Sequence, residues 1–343
     1  MKQAILTKVG KISLIDVPVP SCKKDEVLVR IDACGICGSD IHIFQGHHPI
    51  IKPPVVMGHE CFGHIAQVGE NVHTFTAGDK VFVIPTIACG NCQSCASGHT
   101  NRCRNSKIIG GHLPGGLSEY IAVRVEQLIR IPDSFTIEQG SLIEATSVAI
   151  HSVRRLTGIA GRDVIVFGAG PIGLLTLQVL KAFGAQRVAV SDPAEGRLEL
   201  AGKLGADLVI NPMKTDPVRF VLQNMNEEGI DAAFDCAGRE TTLHQALQLT
   251  KRGGEIVLTA IFDKELPSIP IRLLQRGERH VLGAQAYVRS DFETAIQLIA
   301  ENRISVGDIV THRYPLREIR KAFQTAMDHS QTVGKVIVYH ESL

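Results

Sequence analysis

The sequence predicts an α/β protein in which a doubly wound parallel sheet is joined to an irregular, mostly β domain. Between residues 150 and 285, apolar runs alternate with helical stretches, as in a parallel sheet covered by helices on both faces. Before residue 146, short β-like stretches are interrupted by Gly, Pro and Asn turns. The length of 343 residues also favours two domains, because an ordinary domain has about 150 residues.

The mostly β domain is predicted from both ends of the chain. Its first part contains β-like stretches at residues 26–31, 64–68 and 80–84. Near the other end, two helical stretches and a β-like run are expected at residues 291–300, 317–328 and 335–338. We expect this last segment to return and complete the first domain. The predicted division is therefore 1–146 and 288–343 for the mostly β domain and 147–287 for the parallel sheet.

The parallel sheet is expected to have six strands. They are predicted at residues 163–167, 187–191, 207–210, 230–235, 255–260 and 280–284, with the first two helices at 171–183 and 194–204. Six strands connected in this order are typical of a doubly wound unit that binds a dinucleotide. No internal repeat, low-complexity segment or long linker interrupts the pattern.

Composition and charge exclude several classes of function. The 44% hydrophobic and 21% charged residues are typical of a globular enzyme. Lys and Arg number 36 against 35 Asp and Glu, so the formal charge of +1 favours neither nucleic acid nor an anionic membrane, and a small-molecule partner is expected. The N-terminus lacks the apolar core of a secretory signal, and no run of about 18 apolar residues could span a bilayer. We therefore expect a cytoplasmic protein.

Four of the nine cysteines form a metal-binding pattern. The spacing C-x2-C-x2-C-x7-C allows one short loop to place four thiolates around a tetrahedral zinc ion at about 2.3 Å, through Cys89, Cys92, Cys95 and Cys103. A closed four-thiolate site leaves no position for substrate, so a structural role is expected. An iron–sulfur cluster is the alternative, and the neutral charge disfavours a nucleic-acid-binding zinc finger. The cysteines at positions 22, 34, 61 and 236 are interpreted as unligated.

A glycine-rich turn follows the first strand of the predicted sheet. The motif G-x-G-x-x-G places Gly168 at a tight turn, Gly170 where the backbone approaches a pyrophosphate, and Gly173 where the helix packs on the strand. Pro171 and Ile172 occupy the first turn of the expected helix. The phosphates would lie at the positive N-terminus of that helix. The strand, turn and helix together predict a Rossmann site for a dinucleotide.

One carboxylate predicts which dinucleotide is bound. Asp192 follows the second strand of this unit, nineteen residues beyond Gly173, where a carboxylate can bind both ribose hydroxyls and repel a 2′-phosphate. NAD is therefore favoured over NADP. Arg197 could stack near the adenine or could remain a solvated helix residue, and the sequence does not choose between these positions.

The first domain carries a second group of motifs. Cys34-Gly-Ile-Cys37-Gly-Ser39-Asp40-Ile-His42 is followed by Gly58-His59-Glu60-x2-Gly63-x5-Gly69-x2-Val72. With the four-cysteine pattern and the glycine motif, in this order, the chain resembles the zinc-containing medium-chain alcohol and polyol dehydrogenases over essentially its full length. The resemblance implies a GroES-like catalytic domain with a structural zinc lobe, next to the Rossmann domain.

The resemblance also implies a catalytic zinc ion held by three protein ligands. Cys37 and His59 would supply a thiolate and an imidazole, and a carboxylate would complete the set, with the fourth position open to water or substrate oxygen. Glu60 and Glu144 compete for the third place. The ethanol-type branch of the family has cysteine where this chain has Glu144, so the chain resembles the polyol side. Many members of that side have proline where this chain has Ala145.

Three further residues are assigned roles by the same resemblance. Asp40 would accept a hydrogen bond from the other ring nitrogen of His59, although an Asp at this position could instead cap a turn. Ser39 and His42 resemble the proton relay of the family, with a surface histidine as the alternative for His42. A relay is needed because zinc lowers the pKa of bound water from about 15.7 to about 7, and a bound alcohol should also lose its proton.

These residues predict a zinc-dependent, NAD-linked oxidation of a secondary alcohol to a ketone. A polyol, a sugar acid or a cyclitol is the expected substrate, and L-threonine, oxidised at its 3-hydroxyl, is the alternative. A non-catalytic sensor of NAD or sugar is a different class of function that the fold could also serve. The family resemblance further implies a homo-oligomer, expected to be a homotetramer.

Overall fold

The computed structural model describes residues 1–262, 265–328 and 333–340. The chain forms two compact units, one of Met1–Glu144 with Ile309–Leu343 and one of Ala145–Asp308. Residues 329–332 and 341–343 of the predicted completing segment lie outside the described residues. Among the residues that the structure describes, no helix has both the length and the apolar character needed to cross a bilayer.

The first unit is mostly β, as the sequence predicts. Its strands are β1 (Lys2–Lys8), β2 (Lys11–Asp16), β3 (Glu26–Ile36), β4 (Glu60–Val68), β5 (Lys80–Val83), β6 (Thr86–Ile87), β7 (Lys107–Ile108), β8 (Tyr120–Arg124) and β9 (Leu128–Arg130), with β16 (Val310–Pro315) and β17 (Lys335–Tyr339) near the end of the chain. Its helices are α1 (Gly38–Phe44), α2 (Gln93–Ala96), α3 (Ile137–Ser141) and α11 (Ile319–Ala326). Single 3-10 turns occur at Thr100–Arg102, Val125–Gln127 and Leu316–Glu318.

The central sheet of this unit has the order β16-β17-β3-β4-β5-β9, and β8 also pairs with β3. Strand β3 is longer than predicted and extends to Ile36, because it is paired with β4, β8 and β17 along its length. Burial of Val27, Val29 and Ile31 on this strand anchors the core of the unit. Antiparallel β17 returns the end of the chain to the sheet, next to β3.

The second unit contains the predicted parallel sheet. Its strands are β10 (Asp163–Phe167), β11 (Arg187–Ser191), β12 (Leu208–Ile210), β13 (Ile230–Asp235), β14 (Thr250–Leu258) and β15 (His280–Gly283). All five neighbouring pairs are parallel, in the order β12-β11-β10-β13-β14-β15. This is the doubly wound order of a dinucleotide-binding fold, so the predicted fold class is confirmed.

Helices connect the successive strands of the parallel sheet, and one further helix precedes and another follows the sheet along the chain. They are α4 (Ile143–Val153), which begins at the unit boundary, α5 (Pro171–Ala182), α6 (Glu195–Lys203), α7 (Pro217–Asn224), α8 (Glu240–Leu249), α9 (Ile271–Arg276) and α10 (Arg289–Ala300), and a 3-10 turn follows at Gly307–Ile309. The second unit continues to Asp308, beyond the predicted boundary at 287. Helix α10 stays with this unit because Asp291 pairs with His151 at 2.9 Å and Arg154 at 2.6 Å on α4.

Candidate active site

The sheet topology of the first unit brings together three predicted metal ligands. Cys37 directly follows β3 and is the N-cap of α1, while Glu60 is the first residue of β4 and His59 precedes it. Because β3 and β4 are antiparallel neighbours, the end of one lies beside the start of the other. One ligand atom from each of Cys37, His59 and Glu60 lies within 4.8 Å of the other two. Glu144, buried in the first turn of α4, is not in that group.

Glu60 has a partner that the sequence reasoning missed. Its fully buried carboxylate accepts hydrogen bonds from Lys335 Nζ at 2.6 Å through Oε1 and at 2.7 Å through Oε2. Burial lowers the pKa of Lys335, but the negative charges of Glu60, Cys37 and Glu144 outweigh that effect and raise it. The one available signal was a lysine in the otherwise apolar strand KVIVY. Nothing local links that lysine to Glu60, because the two residues are 275 positions apart.

Asp40 contacts two of the ligands. Its side chain is fully buried, and its Oδ2 accepts a hydrogen bond of 2.9 Å from the Cys37 backbone N–H, which caps α1. Its Oδ1 lies 3.5 Å from His59 Nδ1 and has no hydrogen-bond partner among the described residues. One carboxylate thus caps the helix and also faces the imidazole. The capping role considered for Asp40 is therefore observed, and the hydrogen bond to His59 stays a prediction.

The charges around His59 suit a cation. Burial lowers the pKa of His59, but Asp40 and the Cys37 thiol outweigh burial and raise that pKa well above its ordinary value. A site that stabilises positive charge on a buried imidazole is electrostatically prepared to exchange that proton for a metal ion. The thiolate, imidazole and carboxylate donors are those that zinc accepts when a fourth position stays open. The residues therefore fit a catalytic zinc ion.

The four-cysteine loop is also folded for a metal ion. The sulfur atoms of Cys89, Cys92, Cys95 and Cys103 all lie within 4.8 Å of one another, and all four thiols are free. The sulfurs of Cys92 and Cys95 are 3.5 Å apart, and those of Cys89 and Cys95 are 4.0 Å apart. A tetrahedron with zinc–sulfur distances of ~2.3 Å has sulfur–sulfur edges of about 3.8 Å. The loop matches that size.

The thiols of the four-cysteine loop shift each other's pKa values. The pKa of Cys92 is lowered to about 6, chiefly because the Cys95 backbone N–H donates to its sulfur. The pKa of Cys95 is raised to about 12, first by burial and then by the Cys92 sulfur. A loop that favours at least one thiolate near neutral pH attracts a cation, as a thiolate zinc site requires.

The glycine motif has the geometry of a phosphate-binding turn. Gly168 adopts φ +94°, in the left-handed region that favours glycine. A Cβ at Gly170, the N-cap of α5, would meet no atom within 4 Å, so open space faces the backbone there. A Cβ at Gly173 would overlap the Gly168 carbonyl oxygen, and only glycine allows α5 to pack this closely. Pro171 and Ile172 form the first turn of α5. These features fit a dinucleotide pyrophosphate.

Asp192 is held at the end of β11 by the backbone. Its Oδ2 accepts a hydrogen bond of 2.7 Å from Ala169 N–H in the glycine-rich turn, and its Oδ1 accepts one of 2.8 Å from Ala194 N–H. Arg197 Nη1 lies 3.9 Å from Asp192 Oδ2, which draws this half-buried arginine toward the carboxylate. The turn and the carboxylate are thus one connected element.

Ser39 and His42 both belong to α1. Ser39 is half-buried in the first turn and His42 is exposed near the end of the helix. Residues three positions apart are neighbours on a helix surface, so both side chains lie on one face. Helix α1 begins at Gly38, directly after its N-cap Cys37, so Ser39 lies two residues from a predicted metal ligand.

The fold and the donor groups define a zinc-containing dehydrogenase, and comparisons with known proteins agree. Two family profiles match, an alcohol dehydrogenase GroES-like domain over residues 23–133 and a zinc-binding dehydrogenase over residues 171–301. The chain is 32% identical over 344 residues to sorbitol dehydrogenase of Bacillus subtilis, which covers 99% of this chain and 97% of that protein. It therefore belongs to the zinc-type medium-chain alcohol dehydrogenase family and is an oxidoreductase.

Two further comparisons extend the match. The chain is 38% identical over 314 residues to 2-dehydro-3-deoxy-L-galactonate 5-dehydrogenase of Pseudoalteromonas atlantica, covering 91% of each chain. Its fold matches the crystal structure of a protein of Sinorhizobium meliloti that is described as a zinc-binding dehydrogenase and is bound to NADP. That match has a TM-score of 0.93 with 31% identity and covers 98% of each chain.

Proposed function

We propose that the protein oxidises a secondary alcohol group of a polyol, sugar acid or cyclitol to the ketone and reduces NAD. The observation that carries this proposal is the grouping of Cys37, His59 and Glu60, whose ligand atoms lie within 4.8 Å of one another. A non-catalytic sensor would have no need of a metal site with an open position. The assignment of Glu144 as a further ligand rests on its acidic side chain and burial.

The chain would contribute ligands, orientation and a path for a proton. Zinc and NAD, when bound, supply an acidified substrate hydroxyl and an acceptor for the hydride. Asp40 holds the backbone N–H of Cys37 through Oδ2, and its Oδ1, 3.5 Å from His59 Nδ1, would orient the imidazole ring. Ser39 Oγ would accept the proton that the substrate hydroxyl loses. His42, exposed on the same helix, would pass it to solvent.

We also propose that NAD is preferred over NADP. The buried carboxylate of Asp192 stands at the end of β11, where the adenosine ribose binds in this fold. It can accept hydrogen bonds from both ribose hydroxyls, and it would repel a 2′-phosphate. Arg197 would contact the adenosine end of the cofactor, next to Asp192.

The substrate class follows from the family branch. The sorbitol dehydrogenase and galactonate dehydrogenase named above act, by their names, on a polyol and a sugar acid. Glu144 in place of the cysteine of the ethanol-type enzymes favours the same side of the family. A polyhydroxylated substrate also fits a chain with only 5% aromatic residues, because a bulky aromatic-lined pocket is then less expected.

The test is NADH formation by zinc-loaded protein with polyols, aldonates, cyclitols and L-threonine. Activity on polyhydroxy compounds that a chelator removes and zinc restores would support the proposal. The variant Cys37→Ala should lose turnover while it keeps the zinc of the four-cysteine loop. Preference for L-threonine would replace the substrate, and NAD binding without turnover on any alcohol would favour the sensor function.

We further propose a homotetramer that works in the cytoplasm. Four exposed apolar side chains occur between residues 261 and 271, in the segment that leads to strand β15 at the edge of the described sheet: Ile261, Leu266, Ile269 and Ile271. Several exposed apolar side chains in one segment favour a protein interface. All nine cysteines are free, and thiolate ligands persist best in a reducing compartment. Sedimentation of the zinc-loaded protein would give the oligomeric state.

A further inference from the structure

Lys335 and Glu60 meet across a strand that separates them. Lys335 begins β17, and Glu60 begins β4, while β3 lies between these two strands. Gly35 on β3 pairs with Glu60, and a Cβ at this position would overlap Glu60 Oε2. The absence of a side chain at Gly35 therefore leaves the space that the Glu60 carboxylate occupies while it is bound to the lysine.

The ion pair is enclosed on all sides. The lysine side chain is 4% exposed and the glutamate side chain is 1% exposed. The Lys335 ammonium is bound to both oxygens of one carboxylate, and the Ile36 carbonyl oxygen lies 3.4 Å away. The same carboxylate contributes an atom to the group of metal donors with Cys37 and His59. The Glu60 carboxylate therefore binds the Lys335 ammonium and also belongs to the group of metal donors.

We propose that Lys335 is a positioning residue that competes with the catalytic metal for Glu60 and so keeps this glutamate an exchangeable ligand. The inference rests on the proposed function for its metal site. A glutamate bound tightly and permanently to zinc would add its full negative charge to that of the Cys37 thiolate, and the metal would then be a weaker acid toward the substrate hydroxyl. Lys335 balances that charge and holds the carboxylate by both oxygens.

Competition between Lys335 and the metal for Glu60 predicts whether removal of the lysine strengthens or weakens zinc binding. Removal of the ammonium deletes a positive charge close to a dication, frees both Glu60 oxygens, and leaves a buried carboxylate without its cation in the metal-free protein. Each of these changes favours the zinc-loaded protein over the zinc-free protein. An ion pair that served only to hold β17 on the sheet would give the opposite result, because loosening the sheet would speed the loss of zinc.

The experiment measures zinc release from the loaded protein into a chelating dye. We expect the variant Lys335→Met to release the zinc of the Cys37 site about tenfold more slowly than wild type, the scale of changes next to metal ligands. The zinc of the four-cysteine loop serves as an internal reference whose release is unchanged. The control Lys80→Met removes another lysine of the same unit, whose ammonium donates to the carbonyl oxygens of Asp133 and Phe135 and lies 5.9 Å from the centroid of the Phe62 ring. This variant should release zinc at the wild-type rate.

A second pair of variants shows whether Lys335 acts through Glu60. In a Glu60→Gln background, Lys335→Met should change zinc release by less than about twofold, because no carboxylate remains to be freed. If Lys335→Met does not fold, Lys335→Gln, whose amide can still donate to Glu60, replaces it with the same expected direction. Faster or unchanged zinc release, or slowing that persists without Glu60, would overturn the inference.

Cobalt provides a readout that needs no substrate. With Co²⁺ in the Cys37 site, the visible spectrum of Lys335→Met should show added carboxylate coordination, and that change should be absent in the double variant with Glu60→Gln. Slow zinc release with this spectral change would uphold the inference even if no alcohol were oxidised. A wild type that is active on polyols, with a variant that releases zinc rapidly, would reject the inference and leave the proposed function intact.

Discussion

Gly35 on β3 and Glu60 on β4 are cross-strand partners, and a Cβ at residue 35 would overlap the Glu60 Oε2 atom. The carboxylate that faces the metal donors thus occupies space that any other residue at position 35 would fill. We expect Gly35→Ala to displace Glu60 and to lower kcat/KM by about 100-fold, the scale of a 1 Å misplacement in an active site. Steady-state kinetics and zinc content per chain would measure the effect.

The matched control is Gly202→Ala, on the exposed surface of α6. A Cβ there meets no atom within 4 Å, and alanine is the better helix former. This variant should keep the zinc content and kinetics of wild type. If Gly35→Ala behaved in the same way, the position of the Glu60 carboxylate would not matter for activity.

The sequence predicted the elements whose burial is uniform. The strands at 163–167, 187–191 and 230–235 agree with β10, β11 and β13 at both ends, because a strand buried on both faces is rich in apolar residues along its length. The strand expected at 255–260 instead spans Thr250–Leu258. Its start was not predicted because its first five residues are polar or glycine. Its pairing with β13 cannot be seen in a local pattern.

The sequence likewise predicted the site residues that lie in local motifs, but not the contacts that depend on strand pairing. Cys37, His59 and Glu60 could be found because each lies in a short motif next to another site residue. The pairing of Glu60 with Lys335 depends on three strands meeting, two of them from opposite ends of the chain. No spacing in the sequence contains that information. For the same reason the sequence could not choose between Glu60 and Glu144, whereas the structure groups only Glu60 with Cys37 and His59.

The four-cysteine loop should lose its metal when one thiol is removed. We expect Cys92→Ser to lower the zinc content from two ions to about one per chain and to lower Tm by several degrees, because binding of a structural zinc contributes directly to folding. Turnover per remaining zinc should persist at low temperature. Metal analysis and thermal unfolding are the measurements. Cys22→Ser is the control that should retain both ions, because the Cys22 thiol donates to backbone oxygens and belongs to neither group of metal donors.

Discrimination between the two nicotinamide cofactors should depend on Asp192. The variant Asp192→Asn keeps the shape of the side chain but removes the negative charge that would face a 2′-phosphate. We expect the ratio of kcat/KM for NAD to that for NADP to fall at least about tenfold, with most of the loss on NAD. Glu199→Gln neutralises an exposed carboxylate of the same unit and should leave the ratio unchanged. An unaltered ratio in Asp192→Asn would assign cofactor choice to other residues.

His340 should make the folded protein sensitive to acid. Its side chain is 3% exposed, and burial lowers its pKa to about 4, against the opposing effects of Glu119 and the Gly116 backbone. In the unfolded chain the pKa is near its ordinary value of about 6.5, so between these two values the unfolded state binds more protons. Stability is therefore lost as the pH falls through this window. The full difference between the two pKa values of His340 corresponds to about 3 kcal/mol in the free energy of unfolding.

The variant His340→Gln isolates this contribution from the acid-induced release of zinc, which affects both proteins. Unfolding by urea should give nearly the same pH dependence for wild type and the control His73→Gln, because His73 is exposed. Between about pH 7.5 and about pH 4.5, the free energy of unfolding should fall by about 2–3 kcal/mol less in His340→Gln than in wild type, because glutamine takes up no proton in this range. Parallel profiles for His340→Gln and wild type would mean that the buried imidazole takes up a proton as readily in the folded protein as in the unfolded chain.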